Sequence, residues 1–381
     1  MRQKEFIDVD GASELAAICE ELGASRVFLV TGKSSFDTSG ARALIEKALE
    51  GRSVSRFRDF APGPNFEDVV KGAKYFGKAC PDLMVAIGGG TALDVAKSIN
   101  IFQAHENEAE WLDLATGKEP VRVSGVPLVA LPTTAGTGSE TTHFAVIYVE
   151  DQKYSLAHET MLPDYAIVDP RLTHGQSEQV TACTGFDALC QGVESYWAQG
   201  ATRESQESAS RAIPVILENI KMAVVKPTPS VRVSMSVAAN LAGKAINISK
   251  TTGPHALSYG LTRHHGVPHG HAVALMMGRF LKLHASLCDR PDLDQDFLGP
   301  GDLQKTMNQL LAWMGVDSWV AATQYWHQLM QECGLEVNLQ KLGVTTSRDI
   351  DTILEGVNME RLENHPFWVT QAMIRGLFES V

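Results

Sequence analysis

Histidine placement carries the most chemical information in this chain. Five of its twelve histidines, His255, His264, His265, His269 and His271, fall between positions 255 and 271. Upstream, Asp187 and Gln191 stand four residues apart in a helical pattern, so they share one helix face and can approach one ion. His255 and His269 are separated by Gly260, Gly266 and Pro268, which interrupt a continuous helix, so the two imidazoles come from two elements joined by a turn. One carboxylate, one amide oxygen and two imidazoles suit a divalent first-row ion such as Fe²⁺ or Zn²⁺. The bland alternative for any one of these histidines is a surface or packing role.

Two other segments have the make-up of phosphate-binding loops. Gly88-Gly89-Gly90-Thr91-Ala92-Leu93-Asp94 leaves an apolar run and opens a helical pattern. Glycine lets a backbone approach a phosphate, and a helix start offers free N–H groups and the positive end of its dipole. Thr91 and Asp94 also fit a helix-capping pair with Asp in place of Glu, which is the purely structural reading. Pro132-Thr133-Thr134-Ala135-Gly136-Thr137-Gly138-Ser139-Glu140 follows the next apolar run. Ligands of open parallel sheets bind beyond the carboxyl ends of strands, so two such loops side by side make a dinucleotide cradle, against a flexible surface loop as the alternative.

These residues need a scaffold, and the chain supplies two kinds. Short apolar runs at 26–31, 83–87 and 127–131 alternate with helical patterns at 37–49, 66–76 and 91–99, the signature of a parallel sheet covered by helices, with further short strands expected at 144–149 and 165–168. Beyond about residue 175 the pattern changes to long amphipathic segments, 177–197, 203–221 and 230–248. The expected architecture is an α/β Rossmann-like N-terminal domain over residues 1–175, binding a dinucleotide, and an all-α C-terminal domain over 176–381, carrying the metal and substrate.

Composition excludes several function classes. The 381 residues are 44% hydrophobic and 20% charged, an ordinary globular make-up. A formal charge of −12 argues against a general affinity for nucleic-acid phosphates or anionic membranes. No apolar run approaches the roughly 18 residues of a membrane span. The first residues, Met1 to Phe6, lack the apolar stretch of a secretory signal, which makes the cytoplasm the expected location. Six scattered cysteines, Cys19, Cys80, Cys183, Cys190, Cys288 and Cys333, form no Cys-x-x-Cys pair, against both a disulfide framework and a zinc ribbon.

The run from Gly88 to Lys97, the loop from Pro132 to Glu140, Gly185-Phe186-Asp187-Ala188-Leu189 and His269-Gly270, in that order and spacing, resemble the iron-containing (group III) alcohol dehydrogenase family over nearly the whole chain. The resemblance implies a nucleotide domain, a helical domain, a metal in the cleft between them, and a homo-oligomer, a dimer in the family. It carries metal-ligand roles onto Asp187, His255 and His269, and cofactor roles onto Gly89, Gly90, Asp94, Thr133, Thr134, Thr137, Ser139 and Lys153; Gly32, Ser35 and Thr91 complete the expected cofactor set. Three positions depart from the family pattern. Gln191 stands where the family has His, so the fourth ligand is an amide oxygen or the ion is held by three side chains. Tyr259 stands where a further histidine is usual, and Gly32 where many NAD-preferring members carry Asp, so NAD or NADP is expected as coenzyme.

The stretch from Ser249 to Tyr259, with Thr31 to Phe36, is similar to the family branch of phosphonoacetaldehyde and sulfoacetaldehyde reductases. Lys250, Arg263 and His264 place cationic or potentially cationic groups around the metal motif and are the expected binders of a phosphonate or sulfonate; solvated helix-end charges are the other reading. The expected chemistry is carbonyl reduction, with a metal as Lewis acid, hydride from a reduced nicotinamide and a proton by way of His265 or His271. The alternatives are a dehydrogenase of neutral short-chain alcohols or diols, a cyclase of the dehydroquinate-synthase kind, and a nucleotide-binding protein without a metal.

Overall fold

The computed structural model describes residues 3–105, 107–150, 152–287 and 297–379, and the chain divides into two compact units, Met1–Gln176 and Ser177–Val381. The first unit contains strands β1 (Lys4–Ile7), β2 (Arg26–Thr31), β3 (Ser53–Phe57), β4 (Leu83–Gly88), β5 (Leu128–Pro132), β6 (Phe144–Val149), β7 (Gln152–Ala157) and β8 (Tyr165–Val168). Its helices are α1 (Glu14–Glu21), α2 (Ser35–Thr38), α3 (Ala41–Ala48), α4 (Phe66–Ala79), α5 (Gly90–Ala104) and α6 (Trp111–Thr116).

Six strands pair in parallel in the order β1-β8-β5-β4-β2-β3, and β6 and β7 form a separate antiparallel pair. Both faces of the sheet are covered. Phe28, Val30, Met84, Ala86, Leu128 and Ala130 pack with Phe76, Ile99 and Trp111, while Val27, Leu29, Leu83, Val85, Val129 and Leu131 pack with Leu15, Phe36 and Ile45. That two-sided burial is why β2, β4 and β5 read as unbroken apolar runs. The chain goes from β2 outward to β3, then returns to lay β4 on the other side of β2. Such a reversal parts the loops at the carboxyl ends and opens a ligand crevice between β2 and β4.

The helix expected at 37–49 is two helices, because Gly40 takes a left-handed φ of 78° between α2 and α3. Strands β1, β3 and β7 were not expected: β1 has only four residues, and β3 (Ser-Val-Ser-Arg-Phe) and β7 carry polar residues where the buried strands carry aliphatics.

The second unit contains α7 (Glu178–Trp197), α8 (Arg203–Val225), α9 (Pro229–Ser249), α10 (Gly253–His265), α11 (His269–Leu287), α12 (Leu303–Met314), α13 (Trp319–Glu332), α14 (Ser347–Glu355), α15 (Met359–Glu363) and α16 (Gln371–Glu379), with no strand among the described residues. Helix α7 starts at Ser177, whose hydroxyl accepts from the Val180 amide at 3.3 Å, and packs against α8, α9 and α11. It is buried on all sides from Thr181 to Trp197, Thr184 and Tyr196 excepted, so its polar residues Asp187, Gln191 and Glu194 lie in the core. Deeper in this unit His284 and His365 place their Nε2 atoms 3.0 Å apart, enclosed by Trp197, Trp319, Phe280 and Phe367. Among the described residues no helix is long and apolar enough to cross a membrane. Cys19, Cys80, Cys183, Cys190 and Cys333 are free thiols; Cys288 lies outside the described residues.

Candidate active site

The glycine loop meets the threonine loop at the carboxyl end of the sheet. Gly88 ends β4 with φ 155°, and a Cβ there would lie 2.7 Å from the Ala92 side chain. Helix α5 starts at once, with Gly89 as its N-cap, and a Cβ on Gly90 would stand 2.8 Å from the Thr137 methyl. The loops are tied together by the Thr133 amide, which donates to the Gly88 carbonyl at 2.9 Å. Across the crevice, Gly32 follows β2 and donates to the Ile87 carbonyl at 3.2 Å; a Cβ there would fall 2.2 Å from the Ser35 hydroxyl oxygen.

Thr91 and Asp94 form no capping pair. Thr91 accepts from the Gly63 amide at 3.4 Å, and Asp94 instead accepts from the Ser139 hydroxyl at 2.7 Å and the Val146 amide at 3.0 Å. Burial pushes the Asp94 carboxyl up, against the opposing pull of Lys97, Ser139, Val146 and Lys153, the last on β7. Lys97, buried one turn along α5, donates to the Thr142 carbonyl and hydroxyl and to the Phe144 carbonyl at 2.7–3.0 Å. Desolvation lowers its pKa to about 8 in spite of Asp94 and Glu140. A dinucleotide fits this cradle: the glycines leave room for phosphates, the first amides of α5 face them, and the buried Thr133 hydroxyl has no hydrogen-bond partner among the described residues. Thr134 flanks the same loop, 3.4 Å from where a Cβ on Gly89 would be.

In the helical unit three helices converge. Asp187 comes from the middle of α7, His255 from the first turn of α10, and His269 opens α11. One ligand atom from each lies within 4.8 Å of the other two, with His255 Nε2 3.4 Å and His269 Nε2 3.9 Å from Asp187 Oδ1. Asp187 and His255 are 3% and 4% exposed, and His269 is half-buried. Gly270 makes the convergence possible: a Cβ there would stand 1.9 Å from the Cys183 carbonyl oxygen and 2.9 Å from the Asp187 Cβ, so only glycine lets α11 press this closely on α7. Gln191 is buried one turn beyond Asp187. Tyr259, one turn after His255, stacks on the His269 ring at 6.0 Å.

A carboxylate and two imidazoles on rigid helices are a donor set suited to Fe²⁺ or Zn²⁺. Burial alone would lower the His255 pKa, but Glu194 and Asp187 outweigh it and hold it up at about 9. The carboxylates that hold a proton on this ring are those that favour a cation in its place.

The other expected residues lie at the C-cap of α9, in the last turn of α10 and in the first turn of α11. His271 is buried, its Nε2 bound to the Glu336 carbonyl at 2.7 Å, and burial lowers its pKa. His265 ends α10, half-buried beside Gly343. Arg263 and His264 are exposed in the last turn of α10, and eight residues of helix put Arg263 about 12 Å along the axis from His255. Lys250 is exposed with its amine paired to Glu360. Sequence reasoning missed Glu194, which bonds to His255 Nδ1 at 2.5 Å. Its signal was present, since Asp187, Gln191 and Glu194 recur at helical spacing in an otherwise apolar helix.

A glycine- and threonine-lined crevice at a sheet's switch point suits a dinucleotide, and one carboxylate with two imidazoles from three helices suits a divalent ion. Residues 4–170 match the family described as iron-containing alcohol dehydrogenase, and residues 181–381 match the Fe-containing alcohol dehydrogenase family, C-terminal. The chain belongs to the iron-containing alcohol dehydrogenase family, as an oxidoreductase acting between alcohol and aldehyde with a nicotinamide coenzyme and a metal. It is 30% identical to long-chain-alcohol dehydrogenase 1 of Geobacillus thermodenitrificans, over 87% of this chain and 82% of that protein. It is 32% identical to the phosphonoacetaldehyde reductase of Streptomyces viridochromogenes, over 72% and 70%. The crystal structure of sulfoacetaldehyde reductase from Bifidobacterium kashiwanohense in complex with NAD⁺ superposes with a TM-score of 0.87 at 29% identity, covering 99% of this chain and 96% of that one.

Proposed function

We propose that the chain carries out NAD(P)H-linked, metal-dependent reduction of a small aldehyde to the alcohol, the substrate being a two-carbon aldehyde bearing a phosphonate or sulfonate. The observation that carries the metal-dependent reading is the convergence of Asp187, His255 and His269. The anionic substrate is supported by the likeness to the phosphonoacetaldehyde and sulfoacetaldehyde reductases.

In this reading Asp187, His255 and His269, with Gln191, hold an Fe²⁺ or Zn²⁺ ion, and the 176–381 segment carries substrate. Gly32, Ser35, Gly89, Gly90, Thr91, Asp94, Thr133, Thr134, Thr137, Ser139 and Lys153 of the 1–175 segment hold the coenzyme. When bound, the ion supplies Lewis acidity at a carbonyl oxygen and the reduced nicotinamide supplies the hydride. The chain's own contribution is positional. Helix α5 directs its first amides at phosphate, Asp94 ties α5 to the threonine loop through Ser139, and Lys97 ties it to the Thr142 and Phe144 carbonyls beyond that loop. His265, in the last turn of α10, and His271, in the first turn of α11 with its Nε2 bound to the Glu336 carbonyl, are the residues proposed to pass a proton to the alcohol oxygen. The same reading takes the enzyme as a cytoplasmic homodimer, which light scattering checks.

A second reading, reduction of neutral short-chain aldehydes, is favoured by the Lys250–Glu360 ion pair, which occupies one of the expected anion-binding amines. Nicotinamide absorbance with metal-loaded protein, NADH or NADPH, and phosphonoacetaldehyde, sulfoacetaldehyde and propionaldehyde separates the two. A kcat/KM at least tenfold higher for an anionic aldehyde supports the first reading; equal or better turnover of propionaldehyde establishes the second.

A further inference from the structure

Glu194 is fully buried and lies seven residues, two helical turns, after Asp187 on α7. Its carboxylate is surrounded by donors. Oε2 accepts from the Thr252 amide at 2.6 Å, the Thr252 hydroxyl at 3.0 Å and the His255 amide at 3.4 Å. Oε1 faces His255 Nδ1 at 2.5 Å. The two amides belong to the N-cap and first turn of α10, groups that no intrahelical bond satisfies. One side chain of α7 therefore fixes both where α10 begins and how its histidine turns.

Resting on the metal-dependent reading above, we infer that Glu194 is a positioning residue that commits His255 to metal binding through Nε2 and supplies the second negative charge of the metal centre. A carboxylate accepts and does not donate, so the hydrogen between it and His255 sits on Nδ1, and only Nε2 is left to meet a cation beside Asp187. Thr252 reinforces the arrangement. Its hydroxyl spends its one hydrogen on Glu194 and accepts from the Trp197 indole N–H at 3.1 Å, with His365 Nδ1 a further 3.4 Å neighbour. The charge count agrees. Asp187 alone leaves one positive charge uncompensated around a divalent ion, whereas Asp187 and Glu194 together balance it, and buried unbalanced charge is costly. Gln191, being neutral, does not alter that count.

Glu194→Gln tests this. Glutamine keeps one acceptor oxygen for the α10 amides, but its NH₂ must oppose either His255 Nδ1–H or the Thr252 donors, and the charge is gone. Metal-stripped full-length protein is titrated with Zn²⁺ against a chromophoric chelator, and with Co²⁺ for its visible absorption. The expected result is about 10–100-fold weaker Zn²⁺ binding and a shifted Co²⁺ spectrum in a protein with wild-type circular dichroism, with partial recovery in Glu194→Asp. Unchanged Zn²⁺ affinity and an unchanged Co²⁺ spectrum overturn the inference. Should Glu194→Gln not fold, Thr252→Val removes the supporting hydroxyl alone; a loss of about threefold or more is expected, and none overturns it. Wild-type protein that takes up neither ion overturns the metal-dependent reading itself, a failure distinct from equal binding by wild type and variant.

Discussion

Substituting Gly270 by Ala should open the proposed metal centre without touching any of its proposed ligands. The added Cβ would sit 1.9 Å from the Cys183 carbonyl oxygen, 2.8 Å from its carbon and 2.9 Å from the Asp187 Cβ, two of the three being backbone atoms that cannot turn aside. Ordinary contact needs about 3.4 Å or more, so α11 must withdraw from α7 by about 1.5 Å. Metal–ligand distances tolerate about 0.2 Å. A shift several times larger at His269, the neighbouring residue, leaves Asp187 and His255 without their third partner. Overpacking of this kind costs about 1–3 kcal/mol, a fall of several degrees in Tm for a unit of this size. The assay is Zn²⁺ competition with a chelator, alongside a thermal melt. At least a hundredfold loss of affinity is expected in a protein that still folds. Gly376→Ala on α16, where nothing lies within 4 Å, is the control and should gain about 0.5–1 kcal/mol. A folded Gly270→Ala protein with wild-type metal affinity would refute the reasoning.

Other outcomes follow from the same geometry. Burial lowers the pKa of His284 to about 3 and pushes His365 far down, in part through His284 itself, so below about pH 6.5 the unfolded chain gains protons that the folded one refuses. Stability should fall with acid from there down, by about 1.4 kcal/mol per pH unit for each histidine, and urea melts of His284→Gln should show a slope shallower by that amount. Lys97→Met strands the Thr142 and Phe144 carbonyls and removes the larger of the two cationic influences on buried Asp94, leaving Lys153 with the Ser139 and Val146 donors; denaturant melts should register a loss of about 3–5 kcal/mol. If Arg263 holds a phosphonate or sulfonate, Arg263→Ala should raise KM for the anionic aldehyde at least tenfold, about 1.4 kcal/mol, and leave propionaldehyde unaffected. An unchanged KM would remove that arginine from the substrate site.

Much of this architecture was legible because burial writes itself into local pattern. Strands β2, β4 and β5 are covered on both faces and so read as unbroken aliphatic runs, and the loops that leave them are rich in Gly and Thr. Asp187, His255 and His269 were legible as residue types, since acids and imidazoles are rare in apolar helices. What stayed hidden depends on distant partners. Gly270 matters through the Cys183 carbonyl, and Lys250 through Glu360, more than a hundred residues away. Thr91 looked like a cap because nothing local shows that α5 begins one residue earlier and that Asp94 is drawn away to Ser139. Glu194 was visible by spacing, yet its meaning needed α10 packed against it.

The claim that this is a metal-dependent alcohol/aldehyde oxidoreductase working through Asp187, His255 and His269 is tested most directly by NAD(P)H oxidation with an aldehyde, measured as metal is returned to stripped protein. The account predicts no turnover in the stripped protein, a rise that breaks at one equivalent of Fe²⁺ or Zn²⁺ per chain, and none at any metal concentration in a folded His269→Ala variant. Full turnover in stripped protein, or wild-type turnover in His269→Ala, would contradict it.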